Sequence, residues 1–496
     1  MPLIFDIQNA IENNLSNNAF FINEKYYTYQ EYSQIISNIR KSIKKISSDE
    51  NFNVGLVTND DIETYASIIA LWLEGKTYVP LNPEFPKSRN QNIINQSHIK
   101  TILDSSSNAV FNSGMSSILT KQLPNCEIDL TPIQFSENTN AYILFTSGTT
   151  GTPKGVPITF DNLSNFINAF NKLCPNINSK DRFLQMFELT FDMSVVSYLA
   201  PLLGGACVYT IPKNKIKYSH IFEMMEDYKL TITIMVPSII NYLRPYFDEI
   251  NCPDVRFNLF AGEALYLDVL EEWQKCLPNA TIVNSYGPTE TTIICTSYHF
   301  SNSKKNKTHN GIVCIGKDME NTLSIVVGDD EKELAVGETG ELCISGKQVT
   351  PGYWENDERN EASFFYKNYN DENIRFYRTG DACFKDEDGD FLYVGRVDFQ
   401  AKIQGYRVEL SEIEFQVKSY LNKINAVCVA ITNDLNNTEI GLVIESEDIQ
   451  TTPLLSFLKT KLPQYMIPTQ IKFIHQFPLN SNGKIDRNKL RTLFNK

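Results

Sequence analysis

The stretch Tyr142-Ile-Leu-Phe-Thr-Ser-Gly-Thr-Thr-Gly-Thr-Pro-Lys-Gly155 runs from an apolar strand into a loop of hydroxyls, glycines and one lysine. Gly148, Gly151 and Gly155 permit a tight backbone whose N–H groups converge on an anion. Thr146, Ser147, Thr149, Thr150 and Thr152 add hydroxyl donors, and Lys154 adds a full positive charge. That combination is suited to holding phosphate. The loop is not a Walker A loop, because Pro153 precedes Lys154 and Gly155 follows it, and its glycine spacing is not that of a dinucleotide fingerprint. A hydroxyl-rich surface turn is the plain alternative.

Thr146-Ser-Gly-Thr-Thr-Gly-Thr-Pro-Lys154-Gly resembles the signature loop of the adenylate-forming superfamily, which includes acyl-CoA synthetases, luciferases and peptide-synthetase adenylation domains. Further segments resemble that family's motifs in its order, down to Asn482-Gly-Lys484, so the resemblance covers nearly the whole chain. It implies activation of a carboxylate with ATP, Thr146 to Gly151 cradling phosphate with Lys154. Asn284-Ser-Tyr-Gly-Pro-Thr-Glu290 resembles the nucleotide motif: Tyr286 is implied to stack on adenine, Asn284 to bind its edge, Gly287 and Thr289 to line the nucleotide, and Glu290 to hold Mg²⁺. Phe260-Ala-Gly-Glu-Ala264 resembles the segment between the adenine and acyl pockets, which puts Gly262 and Glu263 on the nucleotide. Tyr377-Arg-Thr-Gly-Asp381 resembles the ribose motif, Asp381 accepting from the sugar hydroxyls. Gly395 to Glu409 resembles the interdomain stretch, with Arg396 at ribose or phosphate and Asp398 as hinge. Lys484 matches the lysine that bridges the acid's carboxylate and the α-phosphate, a fixed cation for transition-state charge. Rotation about Asp398 would withdraw it and admit a thiol.

Phe191-Asp-Met-Ser194 resembles the amino-acid adenylation motif, in which the aspartate pairs the substrate's α-ammonium, and Asp192 matches that aspartate. A buried carboxylate without a cationic ligand is strongly disfavoured, so Asp192 implies a cation in the pocket; a helix N-cap or exposed loop residue is the plain alternative. Motif alignment adds Met193, Val196, Met235, Leu259, Ala261, Ser285, Ile293 and Ile294 to the pocket. All but Ser285 are apolar, which implies a small or medium uncharged side chain such as that of alanine, valine, leucine or proline. The chain is similar to stand-alone D-alanine–carrier protein ligases and free-standing adenylation domains, although those D-alanine ligases carry a cysteine where Ala261 stands. The implied reaction forms an aminoacyl-AMP and passes the amino acid to the phosphopantetheine thiol of a separate carrier protein, since no carrier segment follows Lys496. An acyl- or aryl-CoA synthetase shares the nucleotide motifs but has no need of Asp192. A non-catalytic adenylate-binding protein need not keep Lys484, Glu290 and Asp381 together.

Rigid elements must position these residues. A hairpin is expected over Ala19 to Ile22 and Tyr26 to Tyr29, and then a helix whose Thr28 and Glu31 have capping-box spacing and whose isoleucines from Ile35 to Ile46 share a face. Strands at Asn53 to Thr58 and Thr77 to Leu81 flank a helix over Glu63 to Leu73. The later helix Val195 to Leu203 and strand Ala206 to Ile211 look like a similar unit. Strands at Thr231 to Val236, Phe257 to Ala261 and Thr281 to Asn284 each end close to a motif, as ligands at the carboxyl ends of parallel strands require. Ser301 to Asn310 reads as a solvated loop and Asp386 to Asp390 as a β-turn. From about Phe399 the pattern becomes α+β: Ser411 with Glu414 caps a helix to about Leu421, strands follow at Ala426 to Thr432 and Glu439 to Glu445, and Pro453 to Leu462 is helical. The expected fold is α/β: a large N-terminal domain (1–397) with parallel-sheet αβα subdomains, and a small mobile α+β C-terminal domain (398–496) that carries Lys484.

The 496 residues, 42% hydrophobic, can supply both cores, and a net charge of -14 argues against sequence-independent nucleic-acid binding. No apolar run approaches a membrane span and no basic-then-apolar leader is present, so a cytoplasmic location without membrane insertion is expected. Ten cysteines without a C-x-x-C pair read as reduced and buried, and five histidines lack zinc-ligand spacing, which leaves Mg²⁺ brought with ATP as the expected metal. From Lys459 to Lys496 eight basic residues face Asp486 alone: either a solvated face, or a docking surface for an acidic carrier or phosphate.

Overall fold

The computed structural model describes residues 2–46, 52–111, 114–148, 152–213, 215–397, 400–421, 424–446, 449–479 and 485–494. Thr149, Thr150, Gly151, Asp398 and Lys484 lie outside the described residues.

Two large sheets form the body of the molecule. In the six-stranded one the order is Ser116–Leu119, Thr101–Asp104, Asn53–Val57, Thr77–Leu81, Asn140–Thr146 and Lys154–Thr159, the first five parallel and the last antiparallel. In the nine-stranded one, Asn18–Ile22, Cys207–Thr210, Arg182–Gln185, Ile232–Met235, Phe257–Phe260 and Thr281–Tyr286 are parallel, and antiparallel strands close both edges. Strands covered on both faces read as continuous apolar runs, which is why Ala141 to Leu144 are all buried. Helix Ile62–Leu73 is buried along nearly its whole length, with the Asp61 carboxylate capping it at Thr64 N (3.0 Å) and Trp72 Nε1 donating to Ala141 O (2.8 Å). Helix Tyr29–Ile46 starts at the expected reciprocal cap: Glu31 N donates to Thr28 Oγ1 and Thr28 N to Glu31 Oε2.

A third sheet, antiparallel, spans Thr322 to Arg396 and sets Asp381 directly opposite Arg396. The small domain follows. Hairpin Gln400–Ile403 and Tyr406–Glu409, helix Leu410–Tyr420 and the sheet Ala426–Thr432, Thr438–Glu445 and Gln470–Ile474 enclose a core of their own around Val408, Ile413, Leu442 and Leu458.

Some expectations need correction. Helix Leu410–Tyr420 has no side-chain cap; Glu414 sits on its buried face and accepts from Cys428 N (2.8 Å) and Arg487 Nη1 (2.7 Å) instead of reaching back to Ser411. Arg487 is therefore a structural cation, not part of an open basic face. Ser301 to Asn310 is more than a solvated loop: Asn306 is buried, and Lys307 Nζ lies 2.7, 2.7 and 2.6 Å from Asp386, Asp388 and Asp390. Strand Lys154–Thr159 and the N-terminal helix Pro2–Asn13 have no counterpart in the sequence reading. Among the described residues no disulfide forms, nine of the ten cysteines are buried, and no helix is long and apolar enough to cross a membrane.

Candidate active site

Three adjacent parallel strands end together, with Met235 beside Phe260 and Phe260 beside Asn284. Ala261, Gly262, Glu263, Ser285 and Tyr286 therefore emerge at one rim. A cleft of about 480 Å³ opens there, floored by Gly262, Asn284 and Tyr286 and roofed by Arg396, Lys402 and Arg407. Tyr286 Oη donates to Asp381 Oδ2 (2.6 Å), and Arg396 Nη1 donates to Asp381 Oδ1 (3.0 Å), so the expected adenine and ribose residues form one network. Asn284 spends its amide N–H on the carbonyls of Val313 and Cys314 (3.2 and 2.9 Å), and its Oδ1 has no partner among the described residues. What it offers a ligand is an acceptor. A Cβ at Gly287 would lie 2.5 Å from Ile294 Cα, so only glycine lets this strand end pass the turn that carries Ile293 and Ile294. In that turn Thr292 and Ile293 hold φ of 58° and 74°, which is costly for β-branched residues, and Thr292 Oγ1 is anchored on Gln348 O.

The phosphate-loop residues face charges from the small domain. Glu290 is fully buried and accepts from Tyr353 Oη (2.6 Å) and, through both oxygens, from Arg407 Nη1 (3.0 Å each). Burial opposes its ionisation, yet Arg407 and then Lys154 hold the carboxyl down to about 2. Lys154 Nζ lies 3.9 Å from Glu290, 3.8 Å from Glu409 and 4.9 Å from the Tyr353 ring centre, with no hydrogen-bond partner among the described residues. Burial, then repulsion from Arg407, lowers this lysine to about 7. Ser147 Oγ donates to Arg407 O and accepts from Glu409 N (2.8 and 3.0 Å). Gly148 N donates to Glu412 Oε2 (3.3 Å), whose Oε1 accepts from buried Arg89 (2.8 Å). Thr146 Oγ1 is buried without a partner among the described residues.

Asp192 begins helix Met193–Leu203 but caps nothing with its side chain. It is 4% exposed and, among the described residues, makes no ion pair. Burial raises its carboxyl to about 7 despite hydrogen bonds from the Thr289 side chain and Met193 N–H. Met193, Val196, Leu259, Ala261, Ser285, Ile293 and Ile294 are all buried, and Ser285 Oγ has no partner among the described residues. Ile234 pairs with Leu259 and shares its face, whereas Met235 pairs with Phe260, on the face where Asn258 meets Thr233 and Trp273. Side chains alternate along a strand, so within the paired residues Ile234 shares the face of Leu259 and Met235 that of Phe260.

The hairpin alternates in the same way. Ala401, Ile403 and Val408 turn into the small-domain core, while Gln400, Lys402, Arg407 and Glu409 face the cleft. Gln400 Oε1 accepts from Arg396 Nη2 and Arg407 Nε (2.6 Å each), and Lys402 Nζ lies 5.3 Å from the Tyr286 ring centre. At the hairpin tip Gly405 N donates to Glu263 Oε1 (2.9 Å), whose other oxygen accepts from Ser238 N (2.9 Å). The family resemblance implies roles in this stretch only for Arg396 and Asp398. The alternation from Gln400 to Glu409 was the available signal for the rest; Tyr353, Arg89 and Glu412 carried none.

This chain matches the AMP-binding enzyme family model over residues 7–354. It is 32% identical over 441 residues to the D-alanine--D-alanyl carrier protein ligase of Bacillus licheniformis, covering 86% of each chain. It is 29% identical over 485 residues to tyrocidine synthase 3 of Brevibacillus parabrevis, covering 95% of this chain and 7% of that protein. The chain thus spans less than a tenth of the length of that synthase. The crystal structure of the Vibrio cholerae adenylation domain AlmE in complex with glycyl-adenosine-5'-phosphate superposes with a TM-score of 0.87 at 26% identity, over 99% of this chain and 97% of that one. The chain belongs to the AMP-binding, adenylate-forming enzymes. Within them its similarity is to peptide-synthetase adenylation domains and D-alanine–carrier ligases.

Proposed function

We propose that this protein activates a small or medium apolar amino acid with ATP, forming aminoacyl-AMP and pyrophosphate, and then transfers the amino acid to the phosphopantetheine thiol of a carrier protein in trans. The observation that carries the amino-acid reading is Asp192: a nearly inaccessible carboxyl group among buried apolar residues that makes no ion pair among the described residues, with Lys402 the weakest of the influences on it and Thr289 and Glu290 of the nucleotide motif beside it. An α-ammonium supplies the missing charge. The resemblance to a D-alanyl ligase and to a glycyl-adenylate complex supports a small side chain.

Orphaned polar atoms support the nucleotide: Asn284 Oδ1 for the adenine amino group, and Thr146 Oγ1 and Lys154 Nζ for phosphate oxygens. Asp381 would exchange the Tyr286 and Arg396 donors for ribose hydroxyls. Glu290 fits Mg²⁺, a hard ion for a hard carboxylate, once Arg407 has left it; the ion would neutralise charge on the leaving pyrophosphate. In the first step the substrate carboxylate attacks the α-phosphate and pyrophosphate departs, with Lys484 as the fixed cation. The small domain then turns about Asp398, taken as the boundary between 1–397 and 398–496, and we read the arrangement seen here, with Arg407 on Glu290, as the turned one. In this arrangement a second cleft of about 340 Å³ runs between the domains, lined by Glu263, Lys217, Tyr406 and Tyr465, and suits a pantetheine arm. The thiol attacks the acyl carbon and AMP leaves.

The test is ATP–pyrophosphate exchange across L- and D-amino acids and simple carboxylic acids. Strong exchange with one small apolar amino acid is the expected outcome. Exchange only with acids that lack an amine would remove the role given to Asp192 and favour an acyl-CoA synthetase, while nucleotide binding without exchange would favour a non-catalytic binding protein.

A further inference from the structure

We infer that Arg89 and the backbone N–H of Gly148 form a subsite for the terminal phosphates of the nucleotide, and that Glu412 is the carboxylate that fills it while the small domain is docked. This rests on the nucleotide-activating reading above. Arg89, on helix Lys87–Gln96, is 5% exposed. One carboxylate satisfies it and the phosphate loop together: Glu412 Oε1 accepts from Arg89 Nη1 at 2.8 Å and Oε2 from Gly148 N at 3.3 Å. Both donors belong to the large domain, and the acceptor belongs to the small one. When the small domain turns away, a buried guanidinium and a phosphate-loop N–H are left facing the same space, and Arg89 Nε already lacks a partner. A buried guanidinium without an anion is strongly disfavoured, and a forked donor that takes a carboxylate also takes a phosphate. The backbone at Gly148 is tight enough that a Cβ would lie 2.0 Å from Thr152 O, so glycine is required where this N–H is offered.

The same exchange of partners recurs alongside. Arg407 sits on Glu290 and Glu409 near Lys154, so the segment Arg407 to Glu412 presents one cation and two carboxylates. That is the charge pattern of a cation-bound pyrophosphate, laid on the groups proposed to hold one.

A plain interdomain ion pair makes a different prediction. Breaking an ion pair from either end has the same effect; removing a phosphate ligand and removing its competitor have opposite effects. Calorimetric titration of the full chain with inorganic pyrophosphate and Mg²⁺, and separately with AMP, distinguishes them. Arg89→Met should weaken pyrophosphate on the order of tenfold or more, the loss of a charged hydrogen bond, with AMP affinity unchanged. Glu412→Gln should tighten pyrophosphate. Wild-type pyrophosphate affinity in Arg89→Met, or a shift of the same sign in both variants, overturns the subsite. Should Arg89→Met fail to fold, Glu412→Gln decides alone: tighter binding supports the subsite, and unchanged or weaker binding overturns it. AMP binding by the wild type together with a pyrophosphate affinity that does not respond to Arg89→Met sinks the subsite only; absence of AMP binding in the wild type sinks the nucleotide reading and the subsite with it.

Discussion

At the scale of the residue, the site is governed by carboxyl groups whose burial forces them to find cations. Asp192 makes no ion pair among the described residues, and burial raises its carboxyl to about 7 against an ordinary value of 3.8, a desolvation that the attraction of Lys402 does not offset. Ionising it costs the ligand-free fold free energy. Its contribution to stability is therefore full below about pH 4 and is lost as pH rises through about 7. Asp192→Asn should flatten that slope, seen as a smaller fall in Tm between about pH 5 and about pH 8. The amino acid needs the ionised form, so its apparent affinity should weaken up to about tenfold per unit as pH drops below about 7. The same variant should lose about 100-fold or more in kcat/KM for amino-acid-dependent exchange, because it leaves a buried ammonium unpaired. Glu290 is the opposite case, overpaired by Arg407, Lys154 and Tyr353. Tyr353→Phe deletes the 2.6 Å hydrogen bond and keeps the ring beneath Lys154. A charged hydrogen bond of about 1.5–3 kcal/mol should appear as roughly a tenfold higher Mg²⁺ requirement with the amino-acid KM unmoved; an unchanged Mg²⁺ dependence would deny Tyr353 that role. Asp192 and Glu290 were legible because each lies within a contiguous motif. Tyr353 was not, because nothing near it in the chain tells that its hydroxyl ends on residue 290.

At the scale of the element, the strands that position the site could be read from short β-rich runs ending at motifs, and their parallel order followed from the intervening helices. Their faces could not be read. Whether Ile234 or Met235 shares a face with Leu259 depends on pairing register, and a one-residue shift inverts the answer. Helix Leu410–Tyr420 shows the same limit, since Ser411 and Glu414 have capping spacing but the buried sheet and Arg487 compete more strongly for Glu414. The hairpin Gln400 to Glu409 is the element on which the present domain arrangement turns. Its tip, Gly405, holds φ of 85°, and a Cβ there would lie 2.7 Å from Val236 Cγ1 and 3.4 Å from the Phe191 ring. Left-handed backbone costs an alanine about 1–2 kcal/mol before any contact is counted. Gly405→Ala should slow transfer from preformed aminoacyl-AMP to the carrier thiol about tenfold or more and spare exchange, with single-turnover transfer as the measurement. Equal loss in both half-reactions would mean that the hairpin does not act in the docked arrangement alone.

At the scale of the whole molecule, contacts between distant segments decide which chemistry is exposed, and these were the least legible. Arg89 and Glu412 are 323 residues apart, Ser147 and Arg407 are 260 apart, and no local pattern joins either pair. Charge distribution was readable in outline: a chain of net charge -14 carries a basic C-terminal segment. The structure thins that segment, because Arg487 is committed to Glu414 and the Cys428 carbonyl, while Lys459, Lys461, Lys472, Lys489 and Arg491 remain exposed. An acidic carrier approaching a protein of net negative charge would be drawn toward such a segment. Exposed rim charges act mainly on association and are screened by salt, so their signature is kinetic. Lys459→Glu with Lys461→Glu should raise the KM for the carrier, reduce the dependence of that KM on ionic strength, and leave ATP–pyrophosphate exchange as it was. A carrier KM that ignores both the charge reversal and the salt would place the docking surface elsewhere on the molecule and make the basic segment a solvated face, whereas loss of exchange along with transfer would mean that these lysines support the fold of the small domain instead.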